Sequence, residues 1–107
     1  MSEYIVVFIT VPTKEDGFRI ADTIVEKKVG ACVNVAPLEQ SVFFWKGNIE
    51  KEKEYLLIVK SKLEKFEELK NTVKSIHPYT VPEIIAIPIV AGNSEYLSWI
   101  DETLNRG

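Results

Sequence analysis

SVFFWKGNIEKEKEYLLIVK occupies positions 41–60, and its reading decides the fold. Val42, Phe43, Phe44 and Trp45 are β-branched or aromatic, the composition of a strand. Lys46-Gly47 supplies a tight turn, and Asn48 to Lys60 returns as a second strand. Glu50, Glu52 and Glu54 alternate with Lys51 and Lys53, so on a strand the three carboxylates share one face. Cys32 to Trp45 feeds the hairpin from the other side, a long strand that the sequence interrupts at Pro37. Strands of about 13 residues reach about 43 Å, which outruns a domain this small. An overhanging arm that ends in Phe43, Phe44 and Trp45 needs a surface to rest on.

The elements on either side complete a pattern. Tyr4 to Val11 is a strand ended by Pro12. Thr13 with Asp16 resembles a capping box, and Phe18, Ala21, Ile24, Val25 and Lys28 follow at helical spacing. Lys27 and Lys28 suit a helix C-terminus, with Gly30 as the left-handed stop. Ser61 with Glu64 reads as a second capping box, ahead of a stripe of Leu63, Phe66, Leu69, Val73 and Ile76. His77-Pro78 closes that helix, because proline disfavours helical geometry in the residue before it. Val81 to Val90 is the last strand. Gly92 breaks it, and Asn93 or Ser94 caps a final helix with Tyr96, Leu97, Ile100 and Leu104 on its apolar face.

The order β-α-β-β-α-β plus a C-terminal helix predicts an α+β, ferredoxin-like antiparallel sheet of strand order 4-1-3-2. Pro37 and Pro88 then fall on the edge strands, where proline is tolerated. The chain of 107 residues reads as a single domain, 1–107. A net charge of −3 with mixed signs argues against nucleic acid. The start lacks signal-peptide features, the apolar runs are too short for a bilayer, and one cysteine makes no internal disulfide. These point to the cytoplasm. The first and fourth strands are apolar on both faces, so the face without the two crossover helices needs a cover as well. The final helix covers part of it, and a partner subunit is the simplest cover for the rest.

ITVP at 9–12, ACVNVAP at 31–37, SVFFWKGNIEKEKE at 41–54, VKSK at 59–62, HPYTVPEIIAIPI at 77–89 and GNSEYLSWI at 92–100 together resemble the CutA divalent-cation-tolerance family. The resemblance implies the same ferredoxin-like fold, tight homotrimers, tolerance to divalent metal and binding of copper and similar ions, with no agreed catalytic activity. The trimeric PII signalling proteins are similar in architecture, which adds a metabolite or nucleotide sensor as a second reading. Some relatives carry a cysteine on the first strand and paired histidines before Pro-Tyr; those positions are Ile9 and Ile76 here, and only His77 remains.

Tight transition-metal sites need several Cys, His or carboxylate ligands. Cys32 and His77 are expected at opposite ends of the sheet, about 26 Å apart, so Cys32 reads as a small buried hydrophobe. Glu50, Glu52 and Glu54 could attract a hard cation such as Ca²⁺ or Mg²⁺, but the favoured reading is a solvated arm whose alternating charges pair across a subunit boundary. HPYTVPE gathers His77, Tyr79 and Glu83 where the Trp45 arm departs, with Asp16 nearby. Lys60 joins them only from a neighbouring copy. This is the candidate ligand cleft, with His77 its candidate metal ligand; the bland alternative is a proline-fixed corner. No serine or cysteine nucleophile has a His-acid pair that the topology brings together. The reading is a homotrimeric, non-enzymatic protein with no required cofactor, binding copper, another divalent cation or a small ligand at subunit clefts. The alternatives are the PII-like sensor and an interface enzyme using His77 and Glu83.

Overall fold

The computed structural model of the chain describes residues 3–105. The elements run β1 (Tyr4–Val11), α1 (Lys14–Glu26), β2 (Cys32–Trp45), β3 (Asn48–Lys62), a 3-10 turn (Leu63–Lys65), α2 (Phe66–Ile76), β4 (Ile84–Pro88) and α3 (Ser94–Asn105). The four strands form one antiparallel sheet of order β2-β3-β1-β4, the ferredoxin-like order expected from the sequence. Both internal prolines of the sheet sit on edge strands, Pro37 opposite Tyr55 and Pro88 opposite Ile5.

Alternation along β1 sorts the two faces. Ile5, Val7, Ile9 and Val11 are buried against Ile20 and Ile24 of α1 and Leu69 and Val73 of α2, together with Leu57 and Val59 of β3. Each such side chain, fully buried, contributes roughly 1.5–3 kcal/mol. Tyr4, Val6, Phe8 and Thr10 point to the other face, where α3 covers only one end. There Ile100 and Leu104 pack with Ala31, bordered by Tyr4 and Leu97. Lys62 is buried beneath α3 and donates to Asp101, which also accepts from the Tyr4 hydroxyl.

Several local expectations are corrected. The left-handed residue that ends α1 is Lys28, at φ 58°, not Gly30. Its N–H reaches Val25 O at 3.1 Å and that of Val29 reaches Ile24 O at 3.1 Å, a Schellman ending. Gly30 is small for a different reason: a Cβ there would lie 2.6 Å from both Ile24 Cγ2 and Val59 Cγ1. The buried stripe of α1 is Gly17, Ile20 and Ile24, leaving Phe18 and Val25 exposed. Leu63 is likewise exposed, and Ser61 caps nothing, because it lies buried in β3 and donates to Val29 O at 2.7 Å. Strand β2 runs through Pro37, and its irregularity falls between Leu38 and Ser41. Strand β4 covers five residues instead of Val81 to Val90. Thr13 and Asn93 do cap their helices, accepting from Asp16 N at 3.1 Å and Glu95 N at 3.0 Å.

Candidate functional site

The hairpin turn has positive φ at both Lys46 (52°) and Gly47 (83°), which makes it a type I′ turn closing directly on the Trp45–Asn48 pair. Down the arm, Phe43 faces Glu50 and Ser41 faces Glu52, whereas Leu38 faces Glu54. Three steps on β2 therefore match two on β3, so one extra residue is accommodated as a bulge. A one-residue slip exchanges the faces of a strand. Without the bulge, Val42 and Phe44 would accompany the glutamates; with it, Phe43 and Trp45 do.

That face forms one wall of a groove of about 730 Å³. Ser41, Phe43, Trp45, Glu50, Glu52 and Glu54 line it from the arm, and Val42 also contributes to the lining. Thr10 and Pro12 close it at the end of β1, and the opposite wall is Pro78, Tyr79, Thr80, Val81 and Glu83. Pro82 has no N–H to give to a ladder and biases Val81 toward extended geometry. Residues 78–83 thus run over the sheet as a wall before β4 begins at Ile84.

The wall is fixed from behind. His77 Nε2 lies 2.8 Å from Thr10 O, and the Tyr79 N–H donates to His77 Nδ1 at 3.0 Å. Because Nδ1 accepts, the ring proton sits on Nε2 and is donated to Thr10. The Tyr79 hydroxyl crosses the groove floor and donates to Glu54 Oε2 at 2.5 Å. Burial, then the bond to Glu54 and the charges of Glu54, Glu52 and Asp16, push the Tyr79 phenol well above its ordinary range. It stays a protonated donor at neutral pH. Behind His77, Arg19 donates to Asp16 Oδ1 at 2.8 Å and to Ile76 O at 2.9 Å, tying the start of α1 to the end of α2. The Arg19 hydrogen bond is the main reason that Asp16 is held below the usual carboxylate range, with the Thr13 hydrogen bond and the charge of Arg19 adding to it.

Of the residues singled out in the sequence, Trp45, Tyr79, Glu83, Glu50, Glu52 and Glu54 come together in the groove. His77 is buried behind the wall, and Asp16 is engaged with Arg19 and Thr13; neither lines the groove. Lys60 lies opposite Val6 and Cys32, toward the other end of the sheet, and its ammonium donates to Asn34 Oδ1. Cys32 is half-buried, with Tyr96 near it; burial first, then Cys32, raises the Tyr96 phenol. The levels of Cys32 and His77 differ by only the step from Val6 to Thr10 along β1, about 13 Å. That is half the expected separation.

Thr10, Pro12, Ser41, Val42, Phe43, Pro78, Thr80 and Val81 also line the groove without having been singled out for it. The alternation of Phe43 with Trp45 was a readable signal. Arg19 had none, because its partner Ile76 is 57 residues away.

The donor set does not make a metal centre within one chain. No group of three His, Cys, Asp or Glu side chains converges as a metal-holding set among the described residues. The reason is geometric: carboxylates two residues apart on a strand start about 6.8 Å from each other. Oxygen ligands of a hard cation must all come within about 2.3–2.6 Å of it.

Residues 5–103 match the family described as CutA1 divalent ion tolerance protein. The divalent-cation tolerance protein CutA of Thermus thermophilus is 48% identical over 97 residues, covering 91% of this chain and 94% of that protein. Rice CutA 1, described as chloroplastic, is 46% identical over 96 residues, 90% of this chain and 54% of that longer protein. The solved structure of the periplasmic divalent cation tolerance protein CutA from Archaeoglobus fulgidus superposes with a TM-score of 0.93 at 47% identity, over 95% of this chain and 99% of that one. Among the described residues no helix is long and apolar enough to cross a membrane.

Proposed function

The chain belongs to the CutA1 divalent ion tolerance family, and from that premise we propose that it serves divalent-cation tolerance as a homotrimer, with the groove as its ligand site. The observation that carries this reading is that the groove and an apolar surface share one sheet face. Glu50, Glu52 and Glu54 are followed on that face by Leu56 and Ile58, which lie beside Phe8, Ile85 and Ile87. Ile85 and Ile87 are 49% and 44% exposed in the single chain. A copy that covers them borders the groove. The arm supports the same reading, since Phe44 is 74% and Ile49 63% exposed, and such a patch marks an interface.

A divalent cation, copper included, then takes its ligands from more than one copy, since the three-ligand requirement is unmet within one. The protein acts by binding rather than catalysis: both ring nitrogens of His77 are engaged with backbone, so it is not poised as a base for Glu83. The carboxylate-rich lining also disfavours a nucleotide phosphate. A cytoplasmic location completes the reading, which the free Cys32 suits. Light scattering at micromolar concentration should give three times the chain mass, and calorimetric titration with Cu²⁺, Zn²⁺ and Mg²⁺ should show saturable binding. A monomer, or flat isotherms for all three ions, overturns the proposal.

A further inference from the structure

The groove carries four carboxylates, from Glu50, Glu52, Glu54 and Glu83, and no basic side chain lines it. Lys51 and Lys53 belong to the opposite face of β3. Glu54 is the most constrained of the four. It is only 5% exposed; Tyr79 satisfies one of its oxygens, and no other described residue bonds to this carboxylate. None of the buried side-chain oxygens among the described residues is left without a partner, so the second oxygen of Glu54 is not shut away: it opens on the groove that Glu54 lines. A carboxylate so nearly buried favours a cationic donor at that oxygen.

Two further features narrow the cation. The three glutamates of β3 repeat every second residue, about 6.8 Å apart, over a run of about 13.5 Å from Glu50 to Glu54. This ladder cannot close on one metal ion, but it faces successive positions along an extended molecule. Apart from the hydroxyls of Thr10, Ser41 and Thr80, the rest of the lining is apolar or aromatic, with Phe43, Trp45 and Tyr79 its rings. Methylene groups pack against such walls, and an ammonium is attracted to aromatic faces. The volume lies within the range of about 300–1,000 Å³ typical of small-molecule sites.

We infer that the groove binds a linear alkyl polyamine, with successive ammonium groups on Glu50, Glu52 and Glu54 and the alkyl spacers against Phe43 and Trp45. Spacers of three or four methylenes span about the two-residue repeat of the strand. This rests on the groove being the ligand site, and it names the ligand class as an organic polycation in place of a single metal ion.

The test is calorimetric titration of the assembled full-length protein, at physiological ionic strength, with spermidine, butylamine, MgCl₂ and CuCl₂. Spermidine should bind once per chain, at least about tenfold more tightly than butylamine or Mg²⁺, a difference of about 1.4 kcal/mol. Glu52→Gln should weaken spermidine by about tenfold while light scattering still reports the wild-type assembly; a parallel Glu50→Gln variant guards against a folding defect in the first. Equal affinity for spermidine and Mg²⁺, or wild-type affinity in both variants, overturns the inference by showing diffuse counter-ion attraction or a site elsewhere. Binding of Cu²⁺ or Mg²⁺ without spermidine overturns it while leaving the ion-binding role standing. Flat isotherms for all four remove both.

Discussion

Tyr79→Phe isolates the contact that joins the two walls of the groove. The substitution removes only the hydroxyl that donates to Glu54 Oε2 at 2.5 Å. What remains is a carboxylate in a residue that is 5% exposed and has lost its described donor. A hydrogen bond to a charged group contributes about 1.5–3 kcal/mol. Because Tyr79 is only half-buried and water can enter from the groove, a loss of about 2 kcal/mol is expected. Glu54→Gln keeps an acceptor for the phenol and removes a charge crowded by Glu52, so it should cost less than about 1 kcal/mol. In the double variant the two losses should fail to add, with a coupling of about 1.5 kcal/mol.

The assay is urea unfolding at fixed chain concentration, since assembly makes apparent stability concentration-dependent. The pH dependence supplies a second readout. The raised Tyr79 value means that the native state holds this proton more tightly than the unfolded chain does. Stability from that source is complete below the unfolded phenol value, about 10, and is lost as pH rises through the higher native value. Wild type should therefore lose more stability than Tyr79→Phe above about pH 10. A Tyr79→Phe variant within about 0.5 kcal/mol of wild type, with an unchanged alkaline slope, would refute the reasoning.

Other expectations follow from single contacts. His77→Ala removes a buried ring with two backbone hydrogen bonds; it should cost about 2–3 kcal/mol, and a loss under about 1 kcal/mol in urea unfolding would show that water replaces both bonds. Gly30→Ala drives a methyl into Ile24 and Val59, with an expected cost of about 1–3 kcal/mol. Gly47→Ala has open space but a φ of 83°, so its cost of about 1 kcal/mol comes from backbone strain alone; a ranking of these two opposite to that expected, read from urea midpoints, counts against the steric account. Asp101→Asn removes the charge that holds Lys62, so amide exchange should quicken in 94–105 before it does in the sheet, and uniform exchange would contradict local undocking. The Asp101 carboxyl is held below its usual range chiefly by Lys62, then by Tyr4. Its stabilising effect is therefore present above about pH 4 and lost as pH falls through the lower native value, which Asp101→Asn should blunt.

The fold was legible because its strongest signals are local and periodic. The run from Asn48 to Lys60, the I′ turn at Lys46-Gly47 and the placement of Pro37 and Pro88 on edges all follow from propensity and backbone chemistry. The errors fell where tertiary contact overrides a local motif. Ser61 and Glu64 have capping-box spacing, yet β3 continues through Ser61 because its hydroxyl satisfies Val29 O inside the molecule. Gly30 resembled a left-handed stop, but Lys28 takes that role and the glycine answers a close approach from Val59. In both cases the deciding atom belongs to a segment about thirty residues away, beyond the reach of any window that reads a capping pattern.

The site shows the same division more sharply. The sequence places Glu50, Glu52 and Glu54 on one face by parity alone, and parity also places Phe43 and Trp45 together. Whether those two sets share a face depends on one extra residue between Leu38 and Ser41. Nothing in Leu-Glu-Gln-Ser marks a bulge: it has no glycine and no proline to signal one. The hairpin turn does constrain the answer. A two-residue turn pairs Trp45 with Asn48, and counting down from it puts Phe43 opposite Glu50 and Ser41 opposite Glu52. Counting up instead from Cys32 opposite Lys60 puts Leu38 opposite Glu54 and would put Gln40 opposite Glu52. The two registers disagree by one residue, so a strand pinned by both its turn and its core must absorb the difference in between. The core pins the lower register through Val33, Val35 and Leu57, and the turn pins the upper one. The bulge, and with it the meeting of aromatic rings and carboxylates in one groove, is the consequence of satisfying both.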